Sequence, residues 1–182
     1  MRLLEEDRWP GNASLWICPC LNPTGFPANS RTNDQGIDLN RDFRAFRSAE
    51  TRRHAAWLQS QPRFDFTLCL HEDWEAGGFY LYELNLDSRP SLAPAILRAV
   101  ESVCPVDFSP QIDGWPAHQG VIRPYLEPKE RPEWAEAAFL AVNKTSLTYT
   151  LESPSDFPMD TRVAALTTGV RAALDEALRL LA

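Results

Sequence analysis

Apolar residues along the chain fall into short continuous runs separated by stripes of helical period. Residues 14–21 (S-L-W-I-C-P-C-L) form an apolar run of strand length, preceded by a break at Pro10, Gly11 and Asn12. A second run, 64–70 (F-D-F-T-L-C-L), stops abruptly at His71. Alternation of Phe79 and Leu81 with Tyr80 and Tyr82 predicts a strand over 78–84, and 145–151 is another buried run ending at Glu152, Ser153 and Pro154. Helical spacing marks 48–59, with Ser48 as its cap, and 91–103, where Ala93, Ile96, Leu97 and Val100 share a face. Pro132 is placed to open a helix reaching about residue 142, and a last helix runs over 159–181 with Asp160 in its first turn. Residues 1–7 read as the closing turns of a helix, yet no capping residue stands before Leu3. Apolar strands alternating with helices predict an α/β fold: a mixed, largely parallel sheet flanked by helices on both faces.

Two stretches have no sustained period. Residues 104–131 form a loop region rich in proline and glycine that includes Trp115, His118 and Tyr125. Residues 22–47 are polar, with Arg31, Asp38, Asn40 and Arg41 set among Phe26, Phe43 and Phe46. A loop of that length inside a compact domain is usually functional or disordered, and this mixture of charged, amide and aromatic residues favours function.

Composition narrows the choice of partner. At 182 residues the chain, 1–182, reads as a single domain with enough length for a full core. A net charge of −7 excludes a broad nucleic-acid surface. No apolar run approaches the roughly 20 residues that span a bilayer, and the acidic first residues do not resemble a signal peptide. Cys18, Cys20, Cys69 and Cys104 lie in apolar runs without C-x-x-C spacing, so buried reduced thiols and a cytoplasmic location are expected.

In such folds reactive residues gather beyond the carboxyl ends of the strands. Three strands here end in polar residues: at Asn22 and Pro23, at His71, Glu72 and Asp73, and at Glu152. His71 is either a satisfied core histidine or a metal ligand. The string H-E-D-W-E starting at His71 is not the zinc helix H-E-x-x-H, because Glu75 fills the fifth position and Gly77 and Gly78 would break a helix. Glu152, held between a buried strand and a turn, would be partly desolvated, which raises a carboxyl pKa and suits a general base. Arg31, Asn40 and Arg41 either pair with acids on a solvated loop or together receive a carboxylate.

These residues resemble a known family. N-P-T-G at Asn22, then Arg31, then G-I-D-L-N-R-D-F from Gly36 are similar to the signature of zinc metallocarboxypeptidases of the carboxypeptidase A superfamily. His71 at a strand end and the T-L-E-S-P string around Glu152 follow in the family's order, so the resemblance covers 14–158. It implies a zinc-dependent hydrolase that cleaves a C-terminal peptide bond. By the same resemblance His71 coordinates Zn2+, Glu152 activates the attacking water, and Arg31 stabilises the oxyanion. Asn40 and Arg41 grip the free C-terminal carboxylate of a peptide or peptide-like substrate, and Asp38 orients a zinc-ligating histidine. Tyr125 is the candidate for the family's loop tyrosine, with His118 as its rival.

One element of the family pattern is missing. The family takes two zinc ligands from an H-x-x-E segment ahead of the Asn-Pro strand. None of the three histidines, His54, His71 and His118, begins such a segment. The expectation is an N-terminally incomplete catalytic domain with one good zinc ligand, helped at most by Glu72 or Asp73. Such a chain would bind zinc weakly, have little peptidase activity and tend to self-associate through exposed apolar edges. Two alternatives stand beside the peptidase. One is an N-acyl amino acid hydrolase of the aspartoacylase and succinylglutamate desuccinylase kind. The other is a non-catalytic module that keeps only the carboxylate grip. Trp115 and Pro124 are candidates for the pocket floor, and Glu72, Asp73 and Glu75 either favour cationic side chains or are simply solvated.

Overall fold

The computed structural model of the chain describes residues 13–124 and 132–181. Strands β1 (Thr67–Asp73), β2 (Tyr80–Asn85), β3 (Gln111–Ile112), β4 (Trp115–His118), β5 (Val121–Ile122) and β6 (Leu147–Pro154) make one sheet in the order β1-β6-β2-β5-β4-β3. β1 runs parallel to β6 and β5 parallel to β2, while the β2–β6, β4–β5 and β3–β4 pairs are antiparallel. Helices α1 (Ala49–Ser60), α2 (Ala93–Val100), α3 (Glu136–Asn143) and α4 (Met159–Leu181) cover the two faces. This is the mixed α/β arrangement that the hydrophobic pattern predicts.

Alternation along the strands divides the core in two. Leu81 of β2 and Leu147, Tyr149 and Leu151 of β6 meet Ile96 and Val100 of α2 and Ala165 of α4 on one face. Cys69 of β1 and Leu84 of β2 meet Leu58 of α1, Phe139 of α3 and the loop residue Phe43 on the other. The first face also carries Glu83, which is 3% exposed. Its carboxylate is compensated there, accepting from the Tyr149 hydroxyl at 2.9 Å and from Arg123 Nε at 2.5 Å.

Several expectations need correction. The run 14–21 is not a strand. It carries no ladder, and Leu15, Trp16 and Ile17 are exposed, with Trp16 resting edge-on against Trp57 at 6.1 Å. Apolar character supplies a face for a strand, but pairing needs a neighbouring backbone, and none of the described residues supplies one. β1 starts at Thr67 and runs on through His71 to Asp73, because β6 continues beside it from Thr148 to Pro154. His71 and Glu152 therefore sit within strands and not just beyond them. α3 begins at Glu136, not at Pro132, since the Trp134 carbonyl is drawn off to accept from Phe43 N at 3.2 Å. Three short strands, β3 to β5, occupy the 104–131 stretch read as a loop. Cys69 and Cys104 are buried as expected, whereas Cys18 and Cys20 are exposed on the unpaired run. The helical turns expected over 1–7 lie outside the described residues. Among the described residues no helix is long and apolar enough to cross a membrane.

Candidate active site

The site is built on one transverse row of the sheet. His71 of β1 is in register with Glu152 of β6, and Glu152 is in register with Tyr80 of β2. Residues opposite one another in a ladder project to the same face, so these three side chains stand side by side on the α1–α3 face. Asp73 follows His71 on that face and accepts from the Tyr80 hydroxyl at 2.9 Å. Tyr82, next along β2, donates to Asp113. Glu72 alternates to the far face, where Arg162 of α4 pairs with it at 2.9 Å. It is thus turned away from His71 and cannot assist it as a ligand.

The 22–47 loop is ordered by its own polar side chains. Asn22 Oδ1 accepts from Gly25 N at 2.9 Å, and Asn22 Nδ2 donates to the Arg31 carbonyl at 3.3 Å. This closes the Asn-Pro-Thr-Gly turn onto the segment bearing Arg31. A Cβ on Gly25 would lie 2.2 Å from Asn22 Nδ2 and 2.6 Å from the Thr32 carbonyl oxygen, so only glycine fits. Asp38 Oδ1 caps the 3-10 turn Leu39–Arg41 by accepting from Asn40 N at 2.9 Å. Its Oδ2 accepts from Arg31 Nε at 2.8 Å. Asp38, expected to orient a zinc-ligating histidine, accepts here from Arg31 and from its own turn. Asn40 Oδ1 accepts from Glu136 N at 2.9 Å, and Arg41 Nη1 donates to the Asn40 carbonyl at 2.9 Å.

Electrostatics ties the loop to the sheet row. Glu152 is 8% exposed, and burial pushes its carboxyl up to about 8, with Asp73 and Asp113 adding to the rise and Arg31 and Arg41 opposing it. His71 is pushed down from its ordinary value, first by burial and then by the charges of Arg31 and Arg41, while Glu136 and Asp38 pull it back. The two arginines therefore act on both His71 and Glu152. A carboxyl, an imidazole and two guanidinium groups thus lie within electrostatic reach of one another. Sequence reading missed Tyr80, Tyr82 and Asp113, because their place depends on cross-strand register, which leaves no local signal. His118 is exposed on β4, and Trp115 packs beside Tyr80 and Ile112. Tyr125 lies outside the described residues.

A catalytic zinc ion takes three protein ligands and keeps an open position. No group of three His, Cys, Asp or Glu among the described residues could hold a metal ion. His54, which is buried, is paired with Glu136 at 2.7 Å. The described residues thus do not fit a resident zinc ion, and His71 remains a single imidazole.

No protein-family model matches the chain, and neither does any curated protein. Solved structures do. A candidate metallopeptidase from Shewanella amazonensis superposes with a TM-score of 0.71 at 26% identity, over 87% of this chain and 62% of its own. The fold is carboxypeptidase-like. A second candidate metallopeptidase, from Shewanella denitrificans, matches at 27% identity and TM-score 0.71, over 87% of this chain and 58% of its own. The metallo-carboxypeptidase of Burkholderia cenocepacia shares the fold at TM-score 0.54 and 23% identity. This chain spans about six-tenths of the length of the first two. Within this carboxypeptidase-like fold the His71–Glu152 row sits near the carboxyl ends of β1 and β6, where the reactive residues of α/β sheets collect.

Proposed function

We propose that the chain carries the substrate-recognition and proton-transfer groups of a peptidase acting beside a free C-terminal carboxylate. The observation supporting this most directly is that buried Glu152 stands in register with His71 on one row of the sheet, within electrostatic reach of Arg31 and Arg41. In this reading Asn40 Nδ2 and the Arg41 fork bind the terminal carboxylate, and Arg31 faces the carbonyl oxygen that gains charge. Glu152 takes a proton from the attacking water as its oxygen bonds to the carbonyl carbon, then passes that proton to the leaving amine as the C–N bond breaks. Asp38 keeps the Arg31 guanidinium in place. The peptidase-like neighbours imply a metal, but the described side chains supply His71 alone. Efficient turnover therefore needs metal ligands beyond these.

A second reading, a carboxylate-binding module without turnover, is favoured by the lack of a three-ligand group among the described residues. Peptides with free and amidated C-termini, assayed with and without added zinc, separate the two. Cleavage of the free form alone supports the peptidase, and binding without cleavage supports the module. Hydrolysis of N-acyl amino acids in place of peptides would move the reading to an acylase.

A further inference from the structure

We propose that His54 and Glu136 are positioning residues that set the direction of the Asn40 side-chain amide, and through it the site's hold on a carboxylate. This rests on the role given to Asn40 above, but the contacts that carry it are independent of any substrate. His54 lies on α1 and Glu136 opens α3. Nothing in the loop motif, the sheet row or the strand ends calls for either residue.

The His54 ring has little freedom. It is 9% exposed, stacks on Trp57 at 5.8 Å and meets the Phe43 ring edge-on at 6.0 Å. Its Nε2 lies 2.7 Å from Glu136 Oε1. The backbone N–H of the same Glu136 donates to Asn40 Oδ1 at 2.9 Å. Asn40 N in turn donates to Asp38, which accepts from Arg31. One hydrogen-bonded chain thus joins His54 to Asn40 of the proposed carboxylate grip and, through Asp38, to Arg31.

The two ends of a side-chain amide are alike in shape, so their hydrogen-bond partners decide which end faces where. An N–H donor opposite Asn40 fixes the oxygen at that end and leaves Nδ2, which makes no hydrogen bond among the described residues, free for an anion. That donor is a first-turn N–H with no partner inside its own helix, and Ala135 at the cap position has no side-chain oxygen to satisfy it. Asn40 is therefore the cap of α3, supplied from across the site. The His54–Glu136 contact pins this first turn against α1. Once the pin is lost the turn frays, the amide can rotate, and its oxygen faces the incoming carboxylate for part of the time.

The test uses the full chain and two probes, N-acetylphenylalanine and its C-terminal amide. His54→Phe keeps a ring in place and removes the contact with Glu136, whereas His54→Gln keeps a donor. The expected results for His54→Phe are a shift of the Asn40 side-chain amide signals in 15N spectra and about tenfold weaker binding of the acid. His54→Gln should restore both, and neither change should alter how the amide probe behaves. If the Asn40 signals stay in place in His54→Phe, or if acid and amide binding fall together, the positioning role is overturned. Should wild type bind neither probe, the functional reading fails, while the Asn40 signals still decide the positioning. Should His54→Phe not fold, Glu136→Met breaks the same contact, keeps the backbone N–H and reads the same signals.

Discussion

Glu152 and Asp42 are two buried carboxylates driven in opposite directions by what surrounds them. Burial and the charges of Asp73 and Asp113 hold Glu152 up to about 8, so the folded chain binds its proton more tightly than the unfolded chain does. Its contribution to stability is complete below the ordinary value of 4.5 and disappears as pH rises to about 8. In the metal-free chain, Glu152→Gln should therefore gain on wild type by a few kcal/mol, in order-of-magnitude terms, across that window. Urea unfolding at several pH values checks this, and a difference independent of pH would contradict it. For Asp42, burial would raise the pKa, but the backbone N–H groups of Ser48 and Arg47, the Thr51 hydroxyl and the Arg47 side chain together bring the carboxyl down to about 2. The stability it provides is present above 3.8 and lost as pH falls through about 2. Asp42→Asn puts an amide N–H where an acceptor is needed and should cost about 1–3 kcal/mol at neutral pH, with the gap closing in acid. The types of these residues were legible in sequence. Their ionisation was not, because it depends on neighbours from other elements.

At the scale of elements, local chemistry was read most reliably where a single segment decides it. Ser48 caps α1 as expected, its Oγ accepting from Thr51 N at 3.1 Å. The Asn-Pro-Thr-Gly turn is also self-contained, since Asn22, Gly25 and the Arg31 carbonyl close it. Gly25→Ala should force Asn22 aside, lower stability by about 1–3 kcal/mol and make 22–47 more susceptible to protease. Thermal unfolding and limited proteolysis measure the two effects, and an unchanged cleavage pattern would count against the turn as the anchor of Arg31. Reading failed where a partner decides the element. The run 14–21 has strand composition and no pairing, and α3 starts late because Trp134 is bonded to Phe43. β1 and β6 each extend past their apolar runs, because each gives the other a ladder up to the level of Asp73 and Pro154.

For the molecule as a whole, two expectations follow from what the sheet leaves open. The described residues leave β1 at an edge of the sheet, and Leu70 on it is 52% exposed. Exposed edges favour association, so a concentration-dependent oligomer is expected in sedimentation, and Leu70→Lys should shift it towards monomer. With His71 as a lone imidazole, the chain should not retain stoichiometric zinc through dialysis, and retention of one zinc per chain would overturn that expectation. The amino-acid sequence by itself determined the α/β alternation, the polar loop and the identity of the chemical groups at the strand ends. Each of these is written in local periodicity and residue type. Only the tertiary structure decided that His71, Glu152 and Tyr80 share one row, that Asp38 serves Arg31, and that His54 reaches Asn40 through Glu136. Strand register and helix contacts join residues far apart in the chain, and the packing energy that selects them belongs to the assembled core, not to any segment.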